Sequence, residues 1–448
     1  MKFHPLRINE QPEYDALCPE WKIVPAPAPR TEIVLGTNRP SGVFRCGETV
    51  AFSLEFRHDG KPVAGKTLNC TLERDFHPVE TFALVSAETP VVFETTLKKP
   101  GFVRLAVSCD GFSAAYGAGF EPFAITAAPE IEGFDAFWNA RKQELAAVPM
   151  QVLKFEKVPL ADPGYEGVAE CFNVEISCVN GTPVAGLLAV PCGAKPGTLP
   201  AYVFFHGAGV RPSFQPLPWA AHGMIAFNVN AHGIPYGNEA VYRSELKRLE
   251  GYSSRIYEKP ENSLFVAMTL RVLRSLEYLK SRPEFNGTLI CHGGSQGGYQ
   301  SLAAAGLDPD VSLIIPNAPA MCNLAGALEG RIPSWPHTVK QKPAELRNNR
   351  NALFCDGASF ARRAKAQALF TVGFSDPAAT PSSVYAAYNA YGGKKQIMDF
   401  PDLGHEGAVF WTAEAEIEEY IHNQPNELCE RSEKKLDRQE IISHRREK

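Results

Sequence analysis

Ser295 stands in a pattern that is typical of a serine nucleophile. An apolar run over 289–292 leads into Gly293-x-Ser295-x-Gly297, and a stretch of small residues that favours a helix follows. Strand, tight turn and helix in this order form a nucleophile elbow, whose strained turn raises the serine hydroxyl above the sheet. The flanking glycines let neighbouring backbone pass where a Cβ atom would clash. The sequence therefore predicts nucleophilic chemistry at Ser295.

Such a serine needs a base to take its proton and an acid to orient the base, and both have candidates downstream. Asp376 follows the apolar run 368–373, and His405 follows the run 396–400 in a Gly-His-Glu-Gly loop. In the α/β-hydrolase fold the three groups occur in the order Ser, Asp or Glu, His, each after a strand. We therefore predict Ser295, Asp376 and His405 as the catalytic triad.

Other roles and other acids are open to these residues. Asp376 could instead cap the helix that follows it, because aspartate is a favoured N-cap residue. Asp399, Asp402 and Glu406 compete as the acid, but they lie too near His405 in sequence to approach its Nδ1 from a separate strand. The order of the residues favours Asp376.

A tetrahedral intermediate also needs two backbone N–H donors for its oxyanion. One should come from the residue after the nucleophile, Gln296, and one from the loop after an early strand. The Phe-His-Gly-Ala-Gly segment 205–209 fits the second position, with Ala208 as the donor. Three histidines near strand ends are expected to be hydrogen-bonded scaffold residues: His206, His232 and His292.

Alternating apolar and helical segments from 174 onwards predict an α/β-hydrolase fold with a mostly parallel, doubly wound sheet. A hairpin over 174–190 with an Asn180-Gly181 turn opens the sheet. The expected elements that follow are a helix over 262–280 and strands over 201–205, 224–229, 289–294, 311–315, 368–373 and 396–400. The segment 318–360, which contains Trp335, interrupts the alternation of strands and helices and is typical of a lid or pocket wall.

Short β-rich runs at a spacing of about ten residues precede this unit. They predict an all-β, immunoglobulin-like sandwich over residues 31–126, in front of a catalytic domain over 127–424. Residues 1–30 form an N-terminal extension, and 425–448 form a charged tail.

Bulk properties exclude several classes of function. The formal net charge of −5 argues against nucleic acid as a partner. No apolar run is long enough to span a bilayer, and the N-terminus has no signal-peptide core, so we expect a cytoplasmic protein. The 11 cysteines form no CxxC pair or disulfide framework, and the histidines show no metal-binding spacing. We expect neither a cofactor nor a metal.

The chain resembles carbohydrate esterase family 7, the acetyl xylan esterase and cephalosporin C deacetylase group. The resemblance covers about 129–423 and rests on these segments: the Phe-Asp-Ala-Phe-Trp helix at 134–138, His206-Gly207, the Gly-Gly-Ser-Gln-Gly-Gly run at 293–298, Asp376 with 381–388, and Gly404-His405-Glu406. It implies the triad given above and a small acyl ester, usually acetate on a sugar, as substrate.

Two positions depart from the pattern of that family. His232-Gly233-Ile234 stands where the family usually has Arg-Gly-Gln, and Ala208 stands where it usually has tyrosine. The N-terminal β-rich unit is an addition to the compact form of the family. Family members often assemble as toroidal oligomers, which leaves a homo-oligomer open for this chain.

From these features we expect a serine esterase that removes acetyl or other small acyl groups from carbohydrate esters. The first alternative is a serine peptidase of the prolyl oligopeptidase type, which shares the fold and the triad order but would need a propeller. The second is a non-catalytic glycan-binding protein on the same fold, against which the intact triad speaks.

Overall fold

The computed structural model describes residues 31–423, except 238, 337, 340–341 and 411–412. The predicted extension 1–30 and the charged tail 425–448 lie outside the described residues.

Residues 31–120 form two sheets. Strands β1, β3, β4 and β7 make the first, in which β3 pairs with the other three; the second has the order β2-β9-β8-β5-β6. Pairing is antiparallel except between the short β2 and β9. The strands are β1 (Thr31–Thr37), β2 (Val43–Phe44), β3 (Val50–His58), β4 (Lys61–Pro62), β5 (Thr67–Arg74), β6 (His77–Val85), β7 (Val91–Thr95), β8 (Gly101–Cys109) and β9 (Phe112–Phe120).

The two sheets share one hydrophobic cluster. Along β3 every second side chain is buried, as alternation in a half-buried strand requires. Phe52 and Leu54 from β3 belong to the same cluster as Leu72 and Leu105 from the second sheet. The cluster gives both sheets a common apolar side.

A nine-stranded mixed sheet follows, in the order β10-β11-β12-β14-β13-β15-β16-β17-β18. The pairs from β10 to β14 are antiparallel, and those from β14 to β18 are parallel, in agreement with the mostly parallel sheet expected. The strands are β10 (Val152–Val158), β11 (Ala169–Ile176), β12 (Val184–Pro191), β13 (Leu199–Phe205), β14 (Ile225–Val229), β15 (Phe285–Gly294), β16 (Leu313–Asn317), β17 (Gln367–Gly373) and β18 (Lys395–Phe400).

Apolar clusters cover both faces of the middle of this sheet, which explains why its central strands are largely apolar. Tyr202 packs with Trp219 and Ile417 on one face, and its neighbour Val203 belongs to the large cluster on the other. The helices are α1 (Phe134–Ala146), α2 (Leu217–Ala221), α3 (Glu239–Arg248), α4 (Leu264–Lys280), α5 (Gln296–Leu307), α6 (Pro343–Asn348), α7 (Gly357–Arg363), α8 (Pro381–Ala390), α9 (His405–Ala408) and α10 (Glu414–Asn423).

The predicted hairpin is present, with Asn180-Gly181 in its connection. Strands β11 and β12 are antiparallel and pair from Ile176 with Val184, so the connection is longer than a two-residue turn. Within it, Val179–Gly181 forms a 3₁₀ turn in which Asn180 and Gly181 have φ of 57° and 67°. The Asn180-Gly181 pair therefore indicates left-handed backbone, but it does not form a two-residue hairpin turn. Of the helices in the described ranges, none is long and apolar enough to cross a membrane.

Candidate active site

Ser295 occupies a strained turn between β15 and α5. Its φ of 57° and ψ of −117° are unusual for a residue with a side chain. The flanking glycines are required sterically, because a Cβ atom on Gly297 would lie 2.0 Å from the Phe205 carbonyl oxygen and one on Gly293 would lie 2.6 Å from it. The turn therefore depends on both glycines that the sequence pattern singled out.

His405 and Asp376 meet at Ser295. The Nε2 atom of His405 lies 3.0 Å from Ser295 Oγ, and its Nδ1 lies 2.7 Å from Asp376 Oδ2. The other carboxylate oxygen of Asp376 accepts hydrogen bonds of 2.7 and 2.8 Å from the N–H groups of Ala378 and Ala379. The structure thus brings together all three residues predicted as the triad.

The competing acids lie elsewhere. Asp399 accepts a hydrogen bond of 2.6 Å from the Tyr385 hydroxyl, and Asp402 and Glu406 are exposed. Helix α8 has Thr380 at its N-cap, so Asp376 does not cap it. Asp376 is therefore the carboxylate that orients His405.

The electrostatic setting of His405 combines opposing effects. Burial alone would lower the pKa of its imidazole, but the hydrogen bond and the negative charge of Asp376, together with the charge of Glu406, raise that pKa above its ordinary value. Because Asp376 is fully buried, its carboxylate acts on the ring with little screening by water.

The two predicted oxyanion donors flank the serine. Gln296 is the first residue of α5, where backbone N–H groups have no partner within the helix. Gly207 is close to the serine, since a Cβ atom on it would lie 3.9 Å from Ser295 Cβ, and Ala208 follows it. Among the residues described, the Ala208 N–H has no hydrogen-bond acceptor.

Tyr252 joins these two segments and was missed in the sequence. Its hydroxyl accepts a hydrogen bond of 3.0 Å from the Gly209 N–H and donates one of 2.5 Å to Gln296 Oε1. Burial raises the pKa of Tyr252 to about 12, so the hydroxyl keeps the proton that it donates. A 3₁₀ helix, Tyr252–Tyr257, carries the residue in a region without strand or helix periodicity.

Two of the three histidines are hydrogen-bonded through their ring nitrogens, as expected. His206 Nδ1 lies 2.7 Å from the Gly207 carbonyl oxygen, and its Nε2 accepts a bond of 3.0 Å from the Ala231 N–H. Burial lowers the pKa of His206 to about 4, so it is neutral. His292 Nδ1 lies 2.7 Å from the Tyr202 hydroxyl.

The backbone N–H of His232 donates a hydrogen bond of 3.0 Å to Asn230 Oδ1, as expected of a scaffold residue. Within the described part of the chain, its two buried ring nitrogens have no hydrogen bond of ordinary geometry. The ring packs edge-to-face on Tyr252, with centroids 4.6 Å apart. Burial, with the charges of His206 and Arg271, lowers the pKa of His232 to about 3 and keeps the ring neutral. His232 is therefore a packing residue behind Tyr252.

The predicted lid segment packs beside the elbow through its backbone. The Ala320 N–H donates to Ser295 O at 2.9 Å, and the Met321 N–H donates to Trp335 O at 2.8 Å. The Trp335 N–H donates in turn to Ala378 O at 2.7 Å, beside Asp376. The indole of Trp335 lies 6.1 Å from the ring of Tyr252. This segment thus links the serine turn to the loop of the acid.

Across the described ranges, no group of three His, Cys, Asp or Glu side chains is placed to hold a metal ion. The nine cysteines in those ranges, from Cys46 to Cys355, form no disulfide with one another.

Comparison with known proteins decides the family. The sequence profile of the family described as "Acetyl xylan esterase (AXE1)" matches residues 125–423, well over half of the chain. The chain belongs to this family. The resemblance inferred from the sequence motifs is thereby confirmed, and with it the activity of a carboxylic ester hydrolase.

Individual relatives agree with this family assignment. The chain is 27% identical over 384 residues to acetyl esterase Axe7A of Xylanibacter ruminicola, covering 82% of this chain and 85% of that protein. A match of that length is longer than the family region 125–423, so it also takes in residues outside that region.

Two solved structures share the fold. The acetyl xylan esterase from Paenibacillus sp. R4 has a TM-score of 0.56 and 26% identity, and the match covers 68% of this chain and 99% of that one. Acetyl xylan esterase 1 from Thermoanaerobacterium sp. JW/SL YS485 has a TM-score of 0.53 and 23% identity, with 64% and 92% covered. Both support the α/β-hydrolase fold of the nine-stranded sheet.

The contact between Asp376 and His405 predicts how the imidazole titrates. In wild-type protein the pKa of His405 lies above 6.5, and Asp376→Asn lowers it below that value because burial then dominates. Nitrogen NMR of ¹⁵N-histidine-labelled protein measures this titration. The exposed Asp402→Asn is the matched control and should leave it in place. A His405 resonance that titrates identically in all three proteins contradicts the effect of Asp376.

Proposed function

We propose that Ser295, His405 and Asp376 are the catalytic triad of this esterase. The line of hydrogen bonds from Ser295 Oγ through His405 to Asp376 carries the proposal. His405 Nε2 takes the serine proton as Ser295 Oγ attacks the carbonyl carbon of the ester. Asp376 holds the imidazole in the tautomer with its proton on Nδ1 and stabilises the imidazolium that forms.

Collapse of the tetrahedral intermediate breaks the ester C–O bond. The alkoxide of the sugar leaves with the proton from His405, and the acyl group stays on Ser295. Water then attacks the acyl-enzyme, His405 takes its proton, and the free acid leaves as Ser295 recovers its hydrogen.

The oxyanion is held by the backbone N–H groups of Ala208 and Gln296. Both flank Ser295, and Ala208 supplies its donor from the backbone although the family usually has tyrosine there. The side chain at this position therefore does not decide whether a donor exists. Loss of one such donor costs about 3 kcal/mol in the barrier, so small displacements of either segment matter.

Tyr252 is a positioning residue for this oxyanion hole. Its hydroxyl bonds to Gly209, next to one donor, and to the side chain of Gln296, which supplies the other. The edge-to-face packing on His232 and the neighbouring Trp335 fix its ring. One buried hydroxyl thus sets the spacing of two chain segments.

The substrate is an acetylated carbohydrate. The AXE1 family match supports removal of acetyl groups from sugar esters, and the relatives named above are acetyl and acetyl xylan esterases. We propose acetylated xylo-oligosaccharides as the substrate class. The peptidase and the non-catalytic glycan-binding protein are not favoured by these relatives.

We also propose that residues 31–126 form an immunoglobulin-like sandwich domain in front of a catalytic domain over 127–424. The two sheets with one shared apolar cluster support this division. The homo-oligomer and the cytoplasmic location stay predictions.

Ser295→Ala tests the proposed function. Acetate release from p-nitrophenyl acetate and from acetylated xylo-oligosaccharides should fall at least about 10³-fold, because the acyl-enzyme cannot form. Ser301→Ala is the control: Ser301 lies on the same helix, and its hydroxyl donates only to a helix carbonyl. Turnover that survives in Ser295→Ala contradicts the role of Ser295. Cleavage of acylated peptides without release of acetate from sugars favours the peptidase.

Tyr252→Phe removes only the hydroxyl that joins the oxyanion segments. We expect kcat on p-nitrophenyl acetate to fall about tenfold, part of the loss for a whole donor, with KM within twofold. Tyr257→Phe, in the same 3₁₀ helix, is the control; its hydroxyl makes one hydrogen bond of 3.5 Å to Lys342 O. Unchanged kcat in folded Tyr252→Phe, or a loss confined to KM, shows that Tyr252 does not position the donors.

A further inference from the structure

The second N-terminal sheet, β2-β9-β8-β5-β6, reaches the loops that carry the acid and the base. On the outer edge of β9, the Gly117 N–H donates a hydrogen bond of 2.8 Å to the Pro401 carbonyl oxygen. Pro401 begins the loop that leads from β18 to His405. A loop of the esterase region thus takes the place of a neighbouring strand at this point of the N-terminal sheet.

The same glycine touches the loop of the acid. A Cβ atom on Gly117 would lie 2.4 Å from Phe374 Cβ and 2.6 Å from the Phe374 carbonyl oxygen, and Phe374 begins the turn that leads from β17 to Asp376. On the other side, a Cβ atom on Gly42 would lie 2.7 Å from Pro401 Cγ. Backbone therefore packs directly on both loops, with no room for a side chain.

An aromatic contact reinforces this junction. The ring of Phe102, on β8, lies 5.0 Å from that of Phe374 and 5.7 Å from that of Tyr385 on α8. Phe102 is almost fully buried, and it belongs to the large apolar cluster of the esterase region instead of the cluster between the N-terminal sheets. Its contribution to packing is therefore made at the junction.

The two loops need such support because β18 is the last strand of the sheet in the described ranges, where it has a strand neighbour on one side only. They are tied to each other, since the Ser375 N–H donates to Leu403 O at 3.2 Å and the Ser375 hydroxyl to Pro401 O at 3.4 Å. The Pro401 carbonyl thus receives one bond from the acid loop and one from Gly117.

We propose that the second N-terminal sheet positions the acid and the base of this esterase, acting through Gly117, Gly42 and Phe102 on Phe374 and Pro401. The inference rests on the proposed function, because it concerns the hydrogen bond between Asp376 and His405. Displacement of a catalytic group by about 1 Å can cost about 10²-fold in rate, so a contact outside the site can set the turnover.

Gly117→Ala tests the proposal in the full-length chain. The new methyl group displaces Phe374, so we expect kcat per fluorophosphonate-titrated site to fall about tenfold or more, with KM within twofold. The acidic limb of the pH profile of kcat/KM should also move to lower pH, because a weaker bond from Asp376 leaves the His405 pKa lower. A defect of stability alone would not move that limb.

Gly36→Ala is the matched control. It makes the same change on β1 of the N-terminal region, where a Cβ atom meets only Ser53 Oγ at 3.1 Å. We expect wild-type kcat and pH profile from it. Phe102→Leu is the second variant, because it weakens the aromatic contact while the Gly117 backbone bond remains, and it should change kcat and the acidic limb in the same direction.

The outcomes separate the inference from the function. Folded Gly117→Ala with wild-type kcat and acidic limb overturns the inference, while inactivity of Ser295→Ala still supports the triad. If Gly117→Ala does not fold, Phe102→Leu decides: a lower kcat with a displaced limb supports positioning, and wild-type kinetics overturns it. Full turnover in Ser295→Ala overturns the proposed function and the inference with it.

Discussion

Three side chains from three strand ends must meet within hydrogen-bond distance, although 110 residues separate Ser295 from His405. The parallel strands β15, β17 and β18 end at one edge of the sheet, and this shared edge makes the meeting geometrically possible. The buried carboxylate of Asp376 then fixes the imidazole between itself and the serine hydroxyl. Strand register, turn geometry and loop packing together keep Ser295, His405 and Asp376 within hydrogen-bond distance of one another.

The hydrogen bonds around Ser295, His405 and Asp376 are largely buried, and in such surroundings each one is electrostatically stronger than it would be in water. The backbone of Ser295 is held in a strained conformation by its partners: its N–H donates to Asn317 O at 2.8 Å, and its carbonyl accepts from Ala320. His206 ties the loop 206–209 to Ala231, just after β14, and Tyr252 ties the same loop to Gln296. Strain at the serine is thus sustained by hydrogen bonds between its own backbone and the segment 317–320, as is typical of functional sites.

The parts of the site that could be predicted from the sequence are those encoded locally. Ser295, Asp376 and His405 each follow an apolar run, and the glycine pattern around the serine is typical of a nucleophile elbow. Tyr252 could not be found in this way, because it stands 44 residues from Gln296 in a segment without periodicity. Nothing in the sequence distinguishes Gly117 from other strand glycines, because its role depends on the contact between the second N-terminal sheet and the esterase loops.

In the fold, too, locally encoded elements could be predicted and others could not. Central strands were predictable because burial on both faces demands continuous apolar runs, but the edge strand β10 was missed. Its side chains are mostly exposed, so neither alternation nor an apolar run marks it. The Asn180-Gly181 pair shows a related limit: the residues report left-handed backbone, while the length of the connection depends on the register of β11 and β12.

The rate at which a fluorophosphonate labels the wild-type protein, followed against pH and mapped by peptide mass spectrometry, tests the triad most directly. We expect a single adduct on Ser295, formed at a rate that rises with pH through an apparent pKa above 6.5, where His405 loses its proton. An adduct on another residue, or a rate on Ser295 that does not depend on pH through this range, would contradict activation of Ser295 by His405.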